Sequence, residues 1–261
     1  VLGCGGIGGT VAHALARTGV GRMVLADPDH FELANFNRQA GAQVSTIGQP
    51  KAQALAQQLR DINPDLELAV HEAAVGADNI ASLLAGVDLV VDAVDFFCVD
   101  ARLDIYRYCR RERIPVIMSA PLGMSCTVSL FTPDSMSFER YYDIRPGMDQ
   151  VDQLVAFLVG LAPRMSHRGY MDMQHTNIAA QYGPSLGAAV MLGAGMLAVE
   201  TLRILLGRPG LEPAPYYLQF DAYRRRLYRG KLRFGNRGPL QRLKRSVARR
   251  TLMKKVQGLD V

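Results

Sequence analysis

Cysteine is scarce in this chain of 261 residues, and the four that occur form no C-x-x-C pair. A disulfide-stapled secreted domain and a zinc ribbon are therefore excluded as fold classes. No apolar run reaches the roughly 18 residues that a membrane-spanning helix needs. The nearest such stretch, 186–199, is followed by Glu200 and Arg203. Charged residues make up only 21% of the chain and apolar residues 49%, which excludes a disordered protein. We expect a globular, cytoplasmic protein.

Acidic residues are almost absent from the end of the chain. Residues 224–261 contain 14 lysines and arginines against one acid, Asp260, a net charge of +13. Residues 1–223 contain 16 basic and 23 acidic residues, a net charge of −7. This asymmetry predicts a main domain over 1–223 and a basic C-terminal extension over 224–261. We interpret the extension first as a solvated or partner-binding segment. A role in tRNA binding is less favoured, because no nucleic-acid motif accompanies the charge.

Strand and helix patterns alternate through the first 120 residues. Strands connected by helices predict an α/β fold with a Rossmann-like, doubly wound and mainly parallel sheet. Val1 and Leu2 fit the last residues of a first strand, so we expect the natural chain to begin upstream. The predicted helices cover 7–18, 50–62 and 100–113, and the predicted strands cover 22–27, 66–74, 87–92 and 114–119.

The pattern changes after residue 120. Polar and apolar residues alternate over 127–131, which predicts a half-exposed strand, and 216–220 and 226–230 predict a terminal hairpin. The late strands are therefore expected to be antiparallel. Residues 133–183 show weak periodicity, and a segment that long without clear elements is usually functional or mobile. A helix of small and apolar residues is predicted over 184–206, and a basic amphipathic helix is predicted within the C-terminal extension.

A glycine loop follows the first strand. Gly3, Gly5 and Gly8 satisfy the pattern G-x-G-x-x-G where a strand meets a helix. Glycine permits a tight turn there and lets N–H groups at the helix N-terminus approach a phosphate. Asp27 follows Gly8 by 19 residues, at the end of the second strand, where an acid accepts hydrogen bonds from ribose hydroxyls. These residues predict a nucleotide site that fits NAD and ATP equally well.

Three further side chains favour a triphosphate over a dinucleotide. A triphosphate carries about twice the charge of a pyrophosphate and needs cations and a metal, whereas a pyrophosphate is held mainly by backbone. Arg38 and Lys51 supply two cations beyond the second strand. Asp95, just past the fourth strand, supplies an oxygen ligand of the kind that Mg²⁺ prefers. The sequence therefore predicts ATP and Mg²⁺, with no structural zinc.

At these residues the sequence resembles the ThiF/MoeB/HesA family, which shares the adenylating domain of ubiquitin-activating enzymes. The resemblance runs from the glycine loop to about residue 132 and resumes over 184–207. The glycine loop alone is a weak motif, but the ordered set is specific. Its members are the loop, Asp27-x-Asp29, Asn35-x-x-Arg38-Gln39, Gly48-Gln49-Pro50-Lys51 and Asp92-x-x-Asp95.

The resemblance implies an activity, in which ATP adenylates a carboxylate to give an acyl adenylate and pyrophosphate. The carboxylate would belong to the C-terminus of a small ubiquitin-like or sulfur-carrier protein, to a peptide or to a small acid. The resemblance also implies a homodimer. The implied site comprises Gly3, Gly5, Gly6 and Gly8 against the nucleotide, Asp27 on the ribose, Asp29 and Gln39 beside the nucleotide, Asn35, Arg38 and Lys51 on phosphates, and Asp95 on Mg²⁺, with Arg38, Lys51 and Asp95 as the catalytic set.

The chain departs from the family pattern in three places. Phe96 stands where the family often has Asn after the metal-binding Asp, the zinc-binding C-x-x-C pairs of many members are absent, and no cysteine follows Cys126. A thioester step is therefore not expected. One relative of the family modifies a tRNA base with ATP, which keeps tRNA as a less favoured partner. Two other functions remain open: an NAD-dependent oxidoreductase, and a catalytically degenerate module that binds a partner.

Overall fold

The computed structural model describes residues 1–171 and 183–256, with side chains to residue 251. The helices and strands predicted over 7–119 are present. The helices are α1 (Gly6–Arg17), α2 (Lys51–Ile62), α3 (Ile80–Leu83), α4 (Val99–Arg111), α5 (Phe138–Tyr142), α6 (Gln150–Leu161), α7 (Gly187–Leu205) and α8 (Pro239–Val256). The strands are β1 (Arg22–Ala26), β2 (Glu67–His71), β3 (Val90–Asp92), β4 (Val116–Leu122), β5 (Ser125–Phe131), β6 (Tyr216–Asp221) and β7 (Arg226–Lys231).

The central sheet is parallel at one end and antiparallel at the other. β1 pairs in parallel with β2 and β3 with β4, whereas β4, β5, β6 and β7 pair successively antiparallel. Leu2 joins the two parallel pairs, because it bridges in parallel to both Ala26 and Asp92. From Leu2 the chain winds outward to β1 and β2, then returns to the other side for β3 and β4. Ligands of such sheets bind at this reversal. The predicted fold class is confirmed.

Helices cover both faces of the sheet. On one face α1, α2 and α7 bury Val11, Leu55 and Leu197 in a single apolar cluster. On the other face α4, α5 and α6 bury Ile105 and Tyr142 in a second cluster. This layering leaves the edge formed by the carboxyl ends of the parallel strands as the place where polar side chains meet.

Strand β5 contradicts its prediction. The alternation over 127–131 predicts a half-exposed strand, but every residue of β5 is buried. Helix α7 approaches one face so closely that a Cβ on Gly193 would lie 3.2 Å from Cys126 Cβ. On the other face, the ring of Phe131 packs against that of Phe138 at 5.8 Å between centroids. The polar residues of the alternation are enclosed by protein and do not face water.

Residues 133–183 hold more regular structure than predicted. Both α5 and α6 lie inside this segment, and each begins at a capping side chain. Ser137 accepts from the N–H of Arg140, and Asp149 accepts from the N–H of Asp152. Seven of the twelve residues of α6 are buried, so the helix is apolar around most of its circumference and shows no clear amphipathic period. The last part of the predicted segment lies outside the described residues.

The end of the chain forms the predicted hairpin of β6 and β7 and the predicted basic helix, α8. Polar contacts hold α8 against α6 and its neighbouring loop. Gln241 Nε2 donates to the carbonyl of Val159 in α6 at 3.4 Å, and Lys244 Nζ donates to the carbonyl of Pro163 at 2.6 Å. The predicted boundary at residue 223 falls within the hairpin, and the division into two units stays a prediction.

Two helices expose apolar side chains. Within the described residues, α7 is the helix long and apolar enough to cross a membrane by length and composition, but it packs on β4, β5 and α1. Its outer face exposes Met191 and Val199. On α8 the apolar positions Leu240, Leu243 and Val247 are exposed, while the face turned to α6 is polar. No residue that the structure describes covers these surfaces.

Candidate functional site

The glycine loop connects the central strand to α1 in a turn that excludes side chains. Gly3 has φ +93°, and a Cβ there would lie 2.3 Å from the carbonyl oxygen of Ala93. A Cβ on Gly8 would lie 1.8 Å from the carbonyl oxygen of Gly3. Gly5, the N-cap of α1, has no side chain with which to cap the helix. The N–H groups of the first turn of α1 are therefore available to an external anion.

Asp27 lies directly beside this loop. Its Oδ2 accepts from the N–H of Cys4 at 2.5 Å, and its Oδ1 accepts from the N–H of Asp29 at 2.8 Å. Burial raises the pKa of Asp27, and the two backbone hydrogen bonds oppose that rise. Each carboxylate oxygen has two lone pairs, so each retains one acceptor position. Asp27 is thus fixed in orientation and can still accept hydroxyl groups.

Lys51 and Asp29 are brought together across 22 residues of sequence. Lys51 is the first residue of α2, and its Nζ lies 2.9 Å from Asp29 Oδ2. The Lys51 side chain is only 8% exposed, whereas that of Asp29 is 65% exposed. An ammonium carries three donors, so Lys51 can bind an anion while Asp29 holds one of them. The ion pair therefore holds an enclosed cation near the glycine loop and Asp27.

Asn35 and Arg38 occupy a short 3₁₀ turn after Asp29. The Oδ1 of Asn35 accepts from the N–H of Glu32 at 3.0 Å and so caps this turn. Arg38 is half-buried, and its Nη1 donates to the carbonyl of Ala34 at 2.9 Å and to Asn37 Oδ1 at 3.0 Å. In the structure Asn35 shapes the segment, and Arg38 keeps guanidinium donors beyond these two bonds. Their predicted phosphate contacts stay predictions.

Gln39 lies on the glycine loop. Its Nε2 is 3.6 Å from the position that a Cβ on Gly5 would take, and the carbonyl of Arg38 is 3.2 Å from the corresponding position on Gly6. Gln39 is buried, and its Oε1 has no hydrogen-bond partner in the part of the chain that the structure describes. A buried acceptor without a donor is costly. This orphan acceptor beside an uncapped helix N-terminus fits a site completed by a ligand.

Asp95 follows β3 in a loop that is fixed from within the fold. Its Oδ1 accepts from the N–H of Phe97 at 2.9 Å, while the side chain stays exposed. Arg102 Nη1 donates to the carbonyl of Asp95 at 2.6 Å, and Nη2 donates to the carbonyl of Val94. Arg102 Nε also lies 2.9 Å from Asp92 Oδ2 in a fully enclosed ion pair. Asp92 and Arg102 therefore position the backbone that carries Asp95.

Sequence reasoning missed Arg102. The signal for Arg102 was present, because it interrupts the apolar stripe of Val99, Leu103 and Tyr106 on the buried face of α4. A charged residue at such a position must find a buried partner. Tyr106 supplies a second contact, since its hydroxyl donates to Asp92 Oδ2 at 3.1 Å.

Phe96, the departure from the family pattern, packs on α6. Its ring centroid lies 5.4 Å from that of Phe157 and 5.1 Å from that of Phe97. The guanidinium of Arg102 lies over the same Phe157 ring at 4.7 Å. Phe96 therefore anchors the Asp95 loop to α6 by apolar contact.

Three of the four cysteines are buried. Burial raises the pKa of Cys4 to about 12 and that of Cys126 to about 11, so both thiols stay protonated. Cys98 is the exposed N-cap residue of α4. No group of three His, Cys, Asp or Glu residues that could hold a metal occurs among the described residues. Mg²⁺ commonly takes one or two protein carboxylates and completes its shell with phosphate and water, so Asp95 fits it.

Comparison with known proteins decides the family. The model of the ThiF family matches residues 1–239. The chain belongs to the ThiF family. It is 30% identical to molybdopterin-synthase adenylyltransferase of Salmonella typhimurium over 215 residues, covering 81% of this chain and 84% of that one. It is 38% identical to tRNA threonylcarbamoyladenosine dehydratase of Escherichia coli over 124 residues, covering 47% of this chain and 46% of that one.

Solved structures show the same fold. A crystal structure of E. coli MccB with ATP superimposes with a TM-score of 0.63 at 19% identity, covering 91% of this chain and 63% of that one. The crystal structure of PaaA gives a TM-score of 0.66 at 16% identity, with coverages of 88% and 62%. This ThiF-family chain spans about half the length of several curated relatives that it matches.

Proposed function

We propose that this ThiF-family chain uses ATP to adenylate a carboxylate. One observation carries the proposal: the uncapped N-terminus of α1, the oriented carboxylate of Asp27, the enclosed ammonium of Lys51 and the exposed carboxylate of Asp95 all follow the carboxyl ends of adjacent strands. A phosphate chain and a ribose need these groups together. The adenylyltransferase named among the relatives supports the same activity.

These residues would contact different parts of Mg·ATP. Asp27 would accept the ribose hydroxyls, and the glycine loop would donate backbone N–H groups to phosphate oxygens. Lys51 and Arg38 would neutralise phosphate charge from two sides. Gln39 would offer its free Oε1 to a donor on the nucleotide. Asp95 would hold Mg²⁺, which supplies charge neutralisation on the phosphates when bound.

The chemistry needs positioning more than proton transfer. The oxygen of an ionised carboxylate attacks the α-phosphorus of ATP, a P–O bond forms, and the bond to pyrophosphate breaks with its electron pair leaving on pyrophosphate. The nucleophile is already charged, so no general base is required, and the cations Arg38 and Lys51 reduce its repulsion from the phosphates. No cysteine follows Cys126 in the given sequence, so the proposal includes no thioester step.

The proposed acceptor is the carboxylate of a small ubiquitin-like or sulfur-carrier protein, of a peptide or of a small acid. Named relatives include a sulfur carrier protein ThiS adenylyltransferase and a SAMP-activating enzyme, and a structural neighbour is MccB with AMPCPP and MccA. These names support a carboxylate-bearing polypeptide as the first class to test. tRNA is a less favoured substrate, although tRNA-modifying relatives exist.

A homodimer and a cytoplasmic location complete the proposal. The outer face of α7 exposes Met191 at 64% and Val199 at 58%, with Gly195 between them. Unpartnered apolar side chains at helical spacing suit a second copy of the chain. The curated relatives bear names of nucleotide-dependent enzymes, which supports the cytoplasm, where ATP is abundant.

Nucleotide binding is tested by the shift in thermal unfolding with Mg·ATP or NAD. A ligand at about 100 times its Kd stabilises by about 2.7 kcal/mol. We expect stabilisation by Mg·ATP but not by NAD, and its loss in Lys51→Ala and Asp95→Ala. Arg60→Ala removes a positive charge from the exposed side of α2 and should leave the shift unchanged. Stabilisation by NAD alone would favour the oxidoreductase alternative.

Turnover is tested by exchange of labelled pyrophosphate into ATP in the presence of peptides that end in a free carboxylate. The same peptides with amidated C-termini are the matched controls, because they lack the nucleophile. Exchange with the free acids alone supports adenylation. ATP binding without exchange for any small protein, peptide or acid would favour the partner-binding module.

A further inference from the structure

A basic groove lies between α6 and α8, away from the glycine loop. Its volume is about 640 Å³, and five of its ten lining residues are arginines. They come from three separate parts of the chain: the loop after α5, the turn before α8, and α8 itself. We call this surface the arginine groove, defined by Arg145, Arg237, Arg242, Arg245 and Arg249.

One buried carboxylate orders three of these arginines. Asp143 ends α5 with φ 57° and lies 3.0 Å from Arg145 Nε, 2.9 Å from Arg237 Nε and 2.7 Å from Arg245 Nη1. Burial by itself would raise the pKa of Asp143, but hydrogen bonds from the three guanidinium groups lower it to about 2. The guanidinium groups are therefore held in place before any ligand arrives, which reduces the entropy lost on binding.

The remaining lining residues leave the groove strongly positive. Asp152 lies 2.6 Å from Arg249 Nε, and Asp149, outside the lining, lies 3.9 Å from Arg249 Nη2. Arg242 is exposed and makes no ion pair with any residue that the structure describes. Two carboxylates against five guanidinium groups give the lining a net charge of +3. Such a surplus calls for an anionic ligand with several charges.

We propose that the arginine groove binds the phosphate backbone of a single-stranded nucleic acid. A guanidinium fork matches phosphate oxygens in a bidentate fashion. The apolar lining is limited to Met148 and Val155, so the groove lacks the apolar anchor around which a protein interface is built. Phe234, three residues before Arg237 in the chain, is 63% exposed and offers a ring of the kind on which unpaired bases stack. The groove is independent of the adenylation site and of the activity proposed there.

The test is fluorescence anisotropy with a fluorescein-labelled 15-nucleotide RNA of mixed sequence, on the full chain, between 50 and 200 mM salt. If four of the five arginines contact phosphates, the slope of about −0.7 per contact predicts an affinity loss of about 50-fold across this range. An unlabelled DNA of the same sequence is the competitor that distinguishes RNA from DNA as the source of the backbone. Competition by either nucleic acid supports the proposal.

Two variants locate the binding. Arg242→Ala removes a guanidinium that holds no carboxylate, so the fold should be unaffected, and one lost contact weakens binding about fivefold at 100 mM salt and flattens the salt slope. Ser246→Glu adds a negative charge at the groove lining and should weaken binding at least as much. Arg60→Ala makes the same change of charge on α2 and should leave binding unchanged. Thermal unfolding midpoints equal to wild type confirm that the variants are folded.

Several results would overturn the proposal. They are the absence of RNA binding at 50 mM salt, equal weakening by Arg60→Ala and Arg242→Ala, and displacement of the RNA by polyglutamate of matched charge at the same concentration. The last result would assign the groove to an acidic protein. Displacement by stoichiometric tripolyphosphate would assign it to a small polyphosphorylated ligand.

Discussion

Arg102 is the side chain on which the geometry of the Asp95 loop depends, and Arg102→Met tests that dependence directly. Methionine retains much of the stem volume and removes the guanidinium. In the wild type this guanidinium donates hydrogen bonds to Asp92 Oδ2 and to the carbonyl oxygens of Val94 and Asp95. The Asp92 side chain is fully buried, and that of Arg102 is 4% exposed. The substitution therefore leaves a buried carboxylate without its cation.

The expected cost follows from this burial. Removing one partner of a buried ion pair destabilises a protein by about 3–5 kcal/mol, because the other charge remains uncompensated. Asp92 would keep the N–H of Val94 and the hydroxyl of Tyr106, each at 3.1 Å. Because these two donors remain, the expected loss lies at the lower end of that range, at about 3 kcal/mol. This is a large part of the roughly 5–15 kcal/mol by which a folded domain is typically stable. Mg·ATP affinity should fall in parallel, since the Asp95 carbonyl loses its donor.

The assay is urea unfolding followed by circular dichroism, read as a shift of the midpoint at constant slope. Arg113→Met is the matched control, because Arg113 pairs with Asp134 at 3.0 Å but both side chains are at least 70% exposed. Such a surface pair contributes about 0–1 kcal/mol. The double variant of Arg102→Met with Asp92→Asn should recover part of the loss, since it contains no buried charge. A loss below about 1 kcal/mol for Arg102→Met, or a double variant less stable than the single one, would refute the reasoning.

Three other predictions test the loop, the exposed thiol and the basic groove. Gly8→Ala should abolish nucleotide binding and destabilise the fold, because its Cβ would overlap the carbonyl of Gly3. Gly195→Ala, with open space around it, should change neither, and thermal unfolding with and without nucleotide measures both effects. Maleimide should label Cys98 alone in the native chain. Labelling should be slow, because partial burial of the sulfur and the nearby Asp95 carboxylate raise the pKa of the thiol. Mg·ATP should slow labelling further, and an unchanged rate would place the nucleotide elsewhere. The folded-state pKa of Asp143 is depressed to about 2, so its contribution of about 2 kcal/mol is complete above pH 5 and is lost as the pH falls toward 2. Asp143→Asn should lose that stability at pH 7, and its free energy of unfolding should fall less steeply than that of the wild type as the pH is lowered. An acid dependence equal to that of the wild type would contradict the assignment.

The parallel half of the fold could be predicted because each of its elements has one clear period. Leu55 and Leu59 recur on one side of α2, and β3 is a short apolar run buried on both faces. The predictions that failed concern elements that are buried on most of their surface. Helix α6 is enclosed on most sides, so its sequence has no polar face to mark it. Strand β5 keeps an alternating pattern although both of its faces are covered, because Thr127 and Ser129 are enclosed as polar side chains.

The candidate site could be predicted where its residues are neighbours in sequence. The glycine loop and Asp27 depend on a strand, a turn and a second strand, all of which leave local patterns. The pairing of Lys51 with Asp29 spans 22 residues, and the packing of Phe96 on Phe157 joins the loop after β3 to α6, so neither leaves a local signal. The orphan Oε1 of Gln39 is visible only once the burial of its surroundings is known.

Helix α6 explains how this chain accommodates Phe where the family often has Asn. Phe96 holds the Asp95 loop by packing on Phe157. Apolar packing supplies no directional bond, and the direction comes instead from Arg102, which spans Asp92, the loop carbonyls and the Phe157 ring. Helix α6 also packs against α8, so the segment without clear periodicity connects the Asp95 loop to the basic end of the chain. Loss of the Asn therefore does not by itself indicate loss of activity, because other residues of the fold hold Asp95 in place.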